Sequence, residues 1–179
     1  MGPADISPRG EKDEQTVDTS GRKLASRIEG VEVERVTGHV DGRGSLPPFM
    51  SSPSFWREPV VYAYAVLIHP GRIKGWGMHR RQADRYFVPP GRLRVVLHDG
   101  RVESPTFGAF HEVWFSEASG GLVRIPPGVW HADQNWGEHD VWLVNFPTEP
   151  YDHDHPDRIL LPWDTDELPV KVKDYLPKF

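Results

Sequence analysis

The sequence predicts an all-β protein, an antiparallel sandwich or small barrel with little helix. The chain carries 17 glycines and 18 prolines among its 179 residues, and both residue types favour turns. Runs of strand length, rich in β-branched and aromatic residues, recur about every 8–12 residues between those turns. No segment keeps the 3.6-residue period of an amphipathic helix. The seven tryptophans supply apolar bulk for a core.

The predicted strands follow one another along the chain with turns between them. They cover residues 31–36, 59–68, 85–89, 92–98, 109–116, 122–126, 129–135 and 141–146. Turns rich in glycine, proline or aspartate fall at 41–44, 89–91, 99–100 and 126–128. We therefore expect a barrel over 28–150, after a disordered extension over 1–27. The loop-rich residues 151–179 are expected to pack on the barrel.

Composition and charge exclude several classes of protein. The chain has no cysteine, so it offers no disulfide framework and no thiol nucleophile. No apolar run is long enough for a membrane-spanning helix, and the polar N-terminus lacks a signal peptide. The formal net charge of −5 gives no general attraction for nucleic acid. We expect a soluble cytoplasmic protein that acts on a small molecule.

The strongest local motif lies between residues 120 and 135. It has the spacing G-x5-P-x-G-x2-H-x3-N and contains His131. This spacing resembles the second signature of the cupin superfamily. The proline–glycine turn reverses the chain at a barrel rim, and alternate residues of the next strand face the interior. His131 and Asp133 would therefore share one inward face.

The first cupin signature is only partly present, around residues 77–91. His79 is in place, but the second histidine of the H-x-H pair is replaced by Arg81. Asp84 stands seven residues before Gly91, where the signature has an acid. His79, Asp84 and His131 would make a two-histidine, one-carboxylate site for iron or another divalent transition metal. This metal site is kept as an alternative.

A second resemblance covers residues 41–166, most of the folded part. Its motifs are the block Ser104–Gly108 (SPTFG), the turn into His131, the segment Gly77–His79, and the run Asn145–Tyr151. Together they resemble the dTDP-4-dehydrorhamnose 3,5-epimerase family. The resemblance implies a cupin double-stranded β-helix (jelly roll), a homodimer in which a short N-terminal strand exchanges, no metal or other cofactor, and a substrate such as a dTDP-sugar.

The resemblance also assigns roles to individual residues. The family's catalytic base falls on His79 and its second pocket histidine on His131. The arginine that contacts the nucleotide diphosphate falls on Arg43. Other positions depart from the family pattern, since the pocket arginine becomes Trp76 and the acid tyrosine becomes Asn145.

Two further departures affect the expected chemistry. The family's pocket lysine falls near Asp84, where a carboxylate would oppose an enolate unless it were protonated or paired with Arg81 or Arg85. The aspartate that pairs with the base has no clear equivalent, and Asp174 is only a loose candidate. Epimerisation beside a ketone needs a base, a stabiliser of the enolate and an acid on the opposite face. A one-site epimerase, a ketoisomerase or an altered substrate therefore stay open.

The leading hypothesis is a metal-independent epimerase or isomerase that acts on a nucleotide-linked keto-deoxy sugar. Its predicted catalytic residues are His79, His131 and Asn145. Its predicted substrate-binding residues are Arg43, Trp76, Asp84, Tyr86, Arg94 and Tyr151. A metal-dependent dioxygenase or isomerase is one alternative, and a non-catalytic sugar-binding module with a decayed site is another.

Overall fold

Twelve antiparallel β-strands build the protein in the computed structural model, which describes residues 28–169 and 172. The strands are β1 Glu32–Val36, β2 His39–Asp41, β3 Gly44–Leu46, β4 Tyr64–Ile68, β5 Ile73–Met78, β6 Asp84–Val88, β7 Leu93–Asp99, β8 Phe110–Trp114, β9 Gly120–Ile125, β10 Val129–Asn135, β11 Val141–Asn145 and β12 Ile159–Leu160. Those residues contain no helix, and hence none that could cross a membrane. The predicted extension over 1–27 lies outside the described residues.

Two five-stranded sheets face each other as a jelly roll. One has the strand order β1-β9-β6-β11-β4 and the other has the order β12-β5-β10-β7-β8. Their inner faces share a core of buried aliphatic and aromatic residues drawn from both sheets. The all-β jelly roll expected from the sequence is confirmed. Four strands were not predicted, β2, β3, β5 and β12, and the predicted strand over 59–68 begins only at Tyr64.

Alternation along the strands decides what each side chain meets. On β7, Leu93, Val95 and Leu97 enter the shared core, whereas Val96 belongs to a separate cluster on the outer face. The outer cluster of this sheet also contains Trp76, Ala132, Leu168 and Val172. Leu168 and Val172 therefore lie against the outside of the β12-β5-β10-β7-β8 sheet, and β12 pairs with β5.

The outer face of the β1-β9-β6-β11-β4 sheet is covered by the loop between β3 and β4. Phe55 from this loop is fully buried with Phe87, Leu122 and Phe146. Burial of several aromatic side chains here adds a second apolar layer to the fold. At one end of the barrel, between the two sheets, polar side chains replace the apolar core.

A β-bulge in β5 shapes that polar end. His131 of β10 is paired with Gly77, but Ala132 is paired with Gly75, so Trp76 is the extra residue. The shift brings Lys74 opposite Asp133. A bulge re-aims the side chains that follow it, and here it places a lysine beside a carboxylate on the inner face.

Candidate active site

A cavity of about 330 Å³ opens at the polar end of the barrel, between the two sheets. This lies at the low end of the range of roughly 300–1,000 Å³ common for small-molecule sites. The lining residues come from β4, β5, β6 and β10, from the turn after β5 and from the segment before β12. They are Tyr64, Ala65, Val66, Leu67, Lys74, Gly75, Gly77, His79, Asp84, Tyr86, His131, Asp133 and Arg158.

Asp84 joins two histidines at the centre of this cavity. Its Oδ2 lies 3.4 Å from Nε2 of His79 and 3.4 Å from Nε2 of His131. Its Oδ1 accepts hydrogen bonds from the side-chain amides of Asn145 (2.8 Å) and Gln82 (3.1 Å). The carboxylate is fully engaged, and each buried oxygen has polar neighbours, as buried charge requires.

The orientation of both imidazoles is set by backbone carbonyls. Nδ1 of His79 contacts the carbonyl of Asp157, and Nδ1 of His131 contacts the carbonyl of Val129 at 3.3 Å. A carbonyl oxygen can only accept, so each Nδ1 carries the proton. In the neutral ring Nε2 is then left with its lone pair, facing Asp84 and the cavity.

The segment around Asp157 holds His79 in this position. The Asp157 carboxylate accepts the backbone N–H groups of Arg80 (3.1 Å), Arg81 (2.8 Å) and Gln82 (3.1 Å). These three hydrogen bonds fix the turn between β5 and β6. A residue from the C-terminal segment thus positions a histidine that belongs to the barrel.

Burial and charge act in opposite directions on the two histidines. Burial alone would lower the pKa of His79, but the contact with Asp84 outweighs it and raises that pKa. Burial dominates at His131 and lowers its pKa despite Asp84. Burial would also raise the pKa of Asp84, but hydrogen bonding to His79 and the charges of both histidines lower it. The cluster therefore favours one charged imidazole, on His79, beside an ionised Asp84.

Asp133 lines the other end of the cavity. It is buried, its Oδ2 receives the hydroxyl of Tyr86 at 3.4 Å, and its Oδ1 has no hydrogen-bond partner among the described residues. Burial and the negative charge of Asp84 raise its pKa to about 7. Two cationic side chains, Lys74 and Arg158, also line the cavity.

Four of the predicted site residues meet in this cavity: His79, Asp84, Tyr86 and His131. Their roles in binding and catalysis stay predictions. Asp84 is paired with the histidines and not with Arg81 or Arg85. The backbone of Asp84 lies on β6 and its side chain faces inward, whereas Arg85 faces outward and donates to the carbonyls of Phe146 and Glu58.

The prediction that Trp76 lines the pocket is wrong. Trp76 is the bulged residue of β5 and is fully buried in the outer cluster against Leu168 and Val172. The prediction for Arg94 is wrong for a similar reason. Arg94 lies on the outer face of β7, where it donates to Gln134 at 2.9 Å and forms an ion pair with Glu112.

Asn145 does not line the cavity, so the prediction that its amide faces substrate is wrong. It lies behind the lining, and both hydrogens of its Nδ2 are used, one by Asp84 and one by the hydroxyl of Tyr64 at 2.9 Å. Tyr151 is exposed and stacks with Tyr62, with ring centroids 6.3 Å apart. It lines a small neighbouring cleft and not the main cavity.

Arg43 lies far out on the β2–β3 hairpin. Its guanidinium forms an ion pair with Asp41 at 2.5 Å, and it lines no part of the cavity within the described chain. Its predicted contact with a diphosphate stays a prediction. Asp174, the loose candidate for the partner of the base, lies outside the described residues, so that role stays a prediction.

Sequence reasoning did not single out Lys74 and Arg158. The inward direction of Lys74 does not follow from strand alternation, because the bulge shifts its register. Arg158 lies in a segment whose sequence has no strand pattern. For Asp133 and Tyr64 the sequence did carry a signal of their place in the cavity. Asp133 is two residues from His131 on one strand, and Tyr64 belongs to an apolar, aromatic run.

The donor set also fits a divalent metal. One ligand atom from each of His79, Asp84 and His131 lies within 4.8 Å of the others. Two imidazoles and a carboxylate suit iron or a similar transition metal, and the carbonyls that hold each Nδ1–H are the outer contacts that such histidines use. The two cations in the same cavity work against a positive ion.

A jelly roll that holds two inward histidines and a carboxylate in a cavity at one end is typical of a cupin. No family model matches the sequence. It is 33% identical over 141 residues to the spore coat polysaccharide biosynthesis protein SpsL of Bacillus subtilis strain 168, covering 79% of this chain and 93% of SpsL. It is 32% identical over 141 residues to the probable low-salt glycan biosynthesis epimerase Agl13 of Haloferax volcanii, covering 76% and 89%.

Solved structures agree with these relatives. A dTDP sugar isomerase from Desulfovibrio desulfuricans G20 superposes with a TM-score of 0.75 at 25% identity, over 85% of this chain and 98% of the other. The dTDP-4-dehydrorhamnose 3,5-epimerase from Sulfolobus tokodaii gives 0.66 at 25% identity, over 80% and 83%. The chain belongs to the dTDP-4-dehydrorhamnose 3,5-epimerase-like family of cupins, a family of sugar epimerases and isomerases.

Proposed function

We propose that the protein epimerises or isomerises a nucleotide-linked keto-deoxy sugar by removing the proton on the carbon beside the carbonyl. The observation that carries this proposal is the contact between His79 and Asp84 inside the cavity. A neutral His79 presents Nε2 as the base, and the Asp84 carboxylate stabilises the imidazolium that forms. His131, with a lowered pKa, stays neutral beside it.

The cations at the cavity support a nucleotide diphosphate as the other half of the substrate. Lys74 and Arg158 provide positive charge beside a sugar-sized space, and charge-assisted contacts to phosphate are among the stronger polar interactions. The isomerase from Desulfovibrio desulfuricans is described as acting on a dTDP sugar. A dTDP-linked keto sugar is therefore the substrate to test first.

The proposal needs no metal and no organic cofactor, because the base, its carboxylate partner and the cations all come from the chain. It also takes the protein to be a homodimer. The exposed apolar residues Val40 and Leu46 on the β2–β3 hairpin support a second copy as the covering surface, since such residues often mark an interface.

Solvent deuterium exchange tests the function. The protein is incubated in D2O with a dTDP-linked 4-keto-6-deoxy sugar, and the signals of the carbons beside the ketone are followed by NMR. We expect exchange by the unaltered protein and a loss of about 100-fold or more in His79→Gln. His69→Gln is the matched control, because His69 is exposed and paired with Asp140 outside the cavity.

The opposite results decide against the proposal. If no keto-sugar nucleotide exchanges, or if His79→Gln exchanges at the unaltered rate, the base is not His79. Binding of such a nucleotide without any exchange would favour the non-catalytic sugar-binding module. A second candidate, the metal-dependent cupin, is favoured by the donor set of His79, Asp84 and His131.

A further inference from the structure

The hydroxyl of Tyr64 occupies a special position in the cavity. Tyr64 lies on β4, directly opposite Asn145 of β11, and its side chain lines the cavity. Nδ2 of Asn145 donates to the Tyr64 hydroxyl at 2.9 Å. The hydroxyl therefore receives a hydrogen bond from the protein on one side and faces the cavity on the other.

The direction of that hydrogen bond is fixed by the rest of the Asn145 side chain. Oδ1 of Asn145 accepts the backbone N–H of Arg85 at 3.1 Å, so the oxygen of the amide must point there. The NH2 group then faces Asp84 and Tyr64. Since the Tyr64 oxygen is the acceptor, its own proton is free for another acceptor. The described residues provide none for it.

The second tyrosine of the cavity is differently placed. Tyr86 also lies opposite Asn145, on the other side of β11, but its hydroxyl donates to Asp133 at 3.4 Å. Its ring packs edge-on against His131, with centroids 6.1 Å apart. The proton of Tyr86 is engaged, so Tyr64 is the tyrosine whose proton is available to a bound molecule.

Tyr64 and His79 reach the cavity from opposite walls. Tyr64 belongs to the edge strand β4 of one sheet, and His79 directly follows β5 of the other. A flat sugar ring bound between the sheets presents one face to each wall. The base and the tyrosine would then act on opposite faces, as inversion of a carbon centre requires.

We infer that Tyr64 is the proton donor of the reaction and delivers its hydroxyl proton to the carbon that His79 has deprotonated, from the opposite face. This inference rests on the proposed function. Asn145 becomes a positioning residue that holds the Tyr64 oxygen. The acid tyrosine that the family resemblance places at Asn145 is thus supplied from the neighbouring strand.

The step balances without an added reactant. His79 takes the proton, and the C–H electron pair becomes the double bond of an enolate whose charge rests on the carbonyl oxygen. The enolate carbon then takes the proton of Tyr64, its electron pair forms the new C–H bond, and the carbonyl returns. Tyr64 is left as phenolate and His79 as imidazolium, and both are reset by proton exchange with water.

The pKa of the Tyr64 hydroxyl supports a tyrosine that keeps its proton until this step. Partial burial and the charge of Asp84 raise that pKa to about 12. An enolate carbon is a far stronger base than a phenolate, so the transfer is downhill. The phenolate formed is basic enough to recover a proton from water at the cavity mouth.

The test separates removal of the proton from inversion. Tyr64→Phe keeps the ring and removes the hydroxyl. In D2O with a dTDP-linked 4-keto-6-deoxy sugar, we expect formation of the epimer to fall about 100-fold or more. Deuterium should still enter the recovered substrate within a few-fold of the normal rate, because His79 returns a solvent deuteron to the same face.

Tyr62→Phe is the matched control, since Tyr62 packs against Tyr64 with centroids 5.9 Å apart and does not line the cavity. It should change neither exchange nor inversion. Unchanged inversion in Tyr64→Phe, or an equal loss of exchange and inversion, would overturn the role of Tyr64 as donor. Absence of exchange in the unaltered protein would instead overturn the proposed function.

Discussion

Nε2 of His79 lies 3.4 Å from Oδ2 of Asp84 inside the barrel. The two residues are five positions apart in the sequence, on either side of the turn between β5 and β6. Asp84 pairs with His79 from within the barrel, and its hydrogen bond and charge raise the pKa of His79.

Asp84→Asn should lower both the pKa of His79 and the rate of exchange. The carboxylate favours the protonated imidazole, so its removal lets burial pull the His79 pKa down. The acid limb of the kcat/KM profile should move to lower pH, and the maximal rate should fall about 10- to 100-fold as the imidazolium loses its partner. NMR titration of the imidazole and the pH profile of deuterium exchange measure the two effects.

Asp152→Asn is the matched control for this change. Asp152 is an aspartate near the small cleft, paired with His155 on the surface and not with His79. Its substitution should leave the acid limb in place. An acid limb that stays fixed in Asp84→Asn would mean that the limb reports a group other than His79.

Loss of either cavity cation should weaken the binding of dTDP. Arg158→Ala and Lys74→Ala each remove a positive charge beside the cavity, and a hydrogen bond to a charged group contributes about 1.5–3 kcal/mol. We expect the Kd for dTDP to rise about 10-fold in each variant, by calorimetry. Arg92→Ala, whose ion pair with Glu117 lies on the surface, should leave the Kd unchanged. Equal affinity for dTDP in all three variants would mean that Lys74 and Arg158 do not bind a diphosphate.

The sequence predicted the fold and four of the residues that meet in the cavity for a physical reason. Strand alternation is a local signal, so the inward direction of His131 and Asp133 followed from one turn and a period of two. The bulge at Trp76 is not local. It depends on pairing with β10, and it sends Trp76 outward while bringing Lys74 in. A one-residue change of register moves a side chain to the other face.

The role of Asn145 could not be predicted either, because it too depends on contacts between strands that are distant in the sequence. Its position matched the family's acid tyrosine, but its contacts are with Tyr64 on one side and Asp84 on the other. Neither contact can be inferred from a single sequence, because the three residues are brought together only by the order of strands in the sheet. Arg94 was likewise placed in the pocket without a contact to support it, and its partners are Gln134 and Glu112 on neighbouring strands.

The purified protein should carry well under one equivalent of transition metal and keep its activity with a chelator. Asp84 already interacts with both histidines, and Lys74 and Arg158 line the same cavity. Elemental analysis, with activity measured before and after EDTA, checks this. A stoichiometric metal whose removal abolishes activity would favour the metal-dependent cupin that uses His79, Asp84 and His131.

The β2–β3 hairpin should form part of a dimer interface. Val40 is 72% exposed and Leu46 is 69% exposed, so a single copy leaves both apolar side chains in water. The double variant Val40→Asp with Leu46→Asp should sediment as a monomer where the unaltered protein sediments as a dimer. Val102→Asp, at a side chain 74% exposed elsewhere, is the control. A monomeric unaltered protein would contradict the prediction.

Asp133 should make the stability of the protein fall as the pH rises from about 4 to about 7. Burial raises the folded-state pKa of Asp133 to about 7, whereas the unfolded chain releases that proton near 4. The folded state thus binds more protons in this window. The stabilisation is fully present below about pH 4 and is lost by about pH 7. The Asp133→Asn side chain cannot ionise. The free energy of unfolding of this variant should therefore fall less between about pH 4 and about pH 7 than that of the unaltered protein, by on the order of a few kcal/mol. Urea denaturation at several pH values measures the difference. Asp164→Asn, an exposed aspartate, should follow the unaltered protein, and parallel curves for all three proteins would mean that Asp133 ionises normally in the folded state.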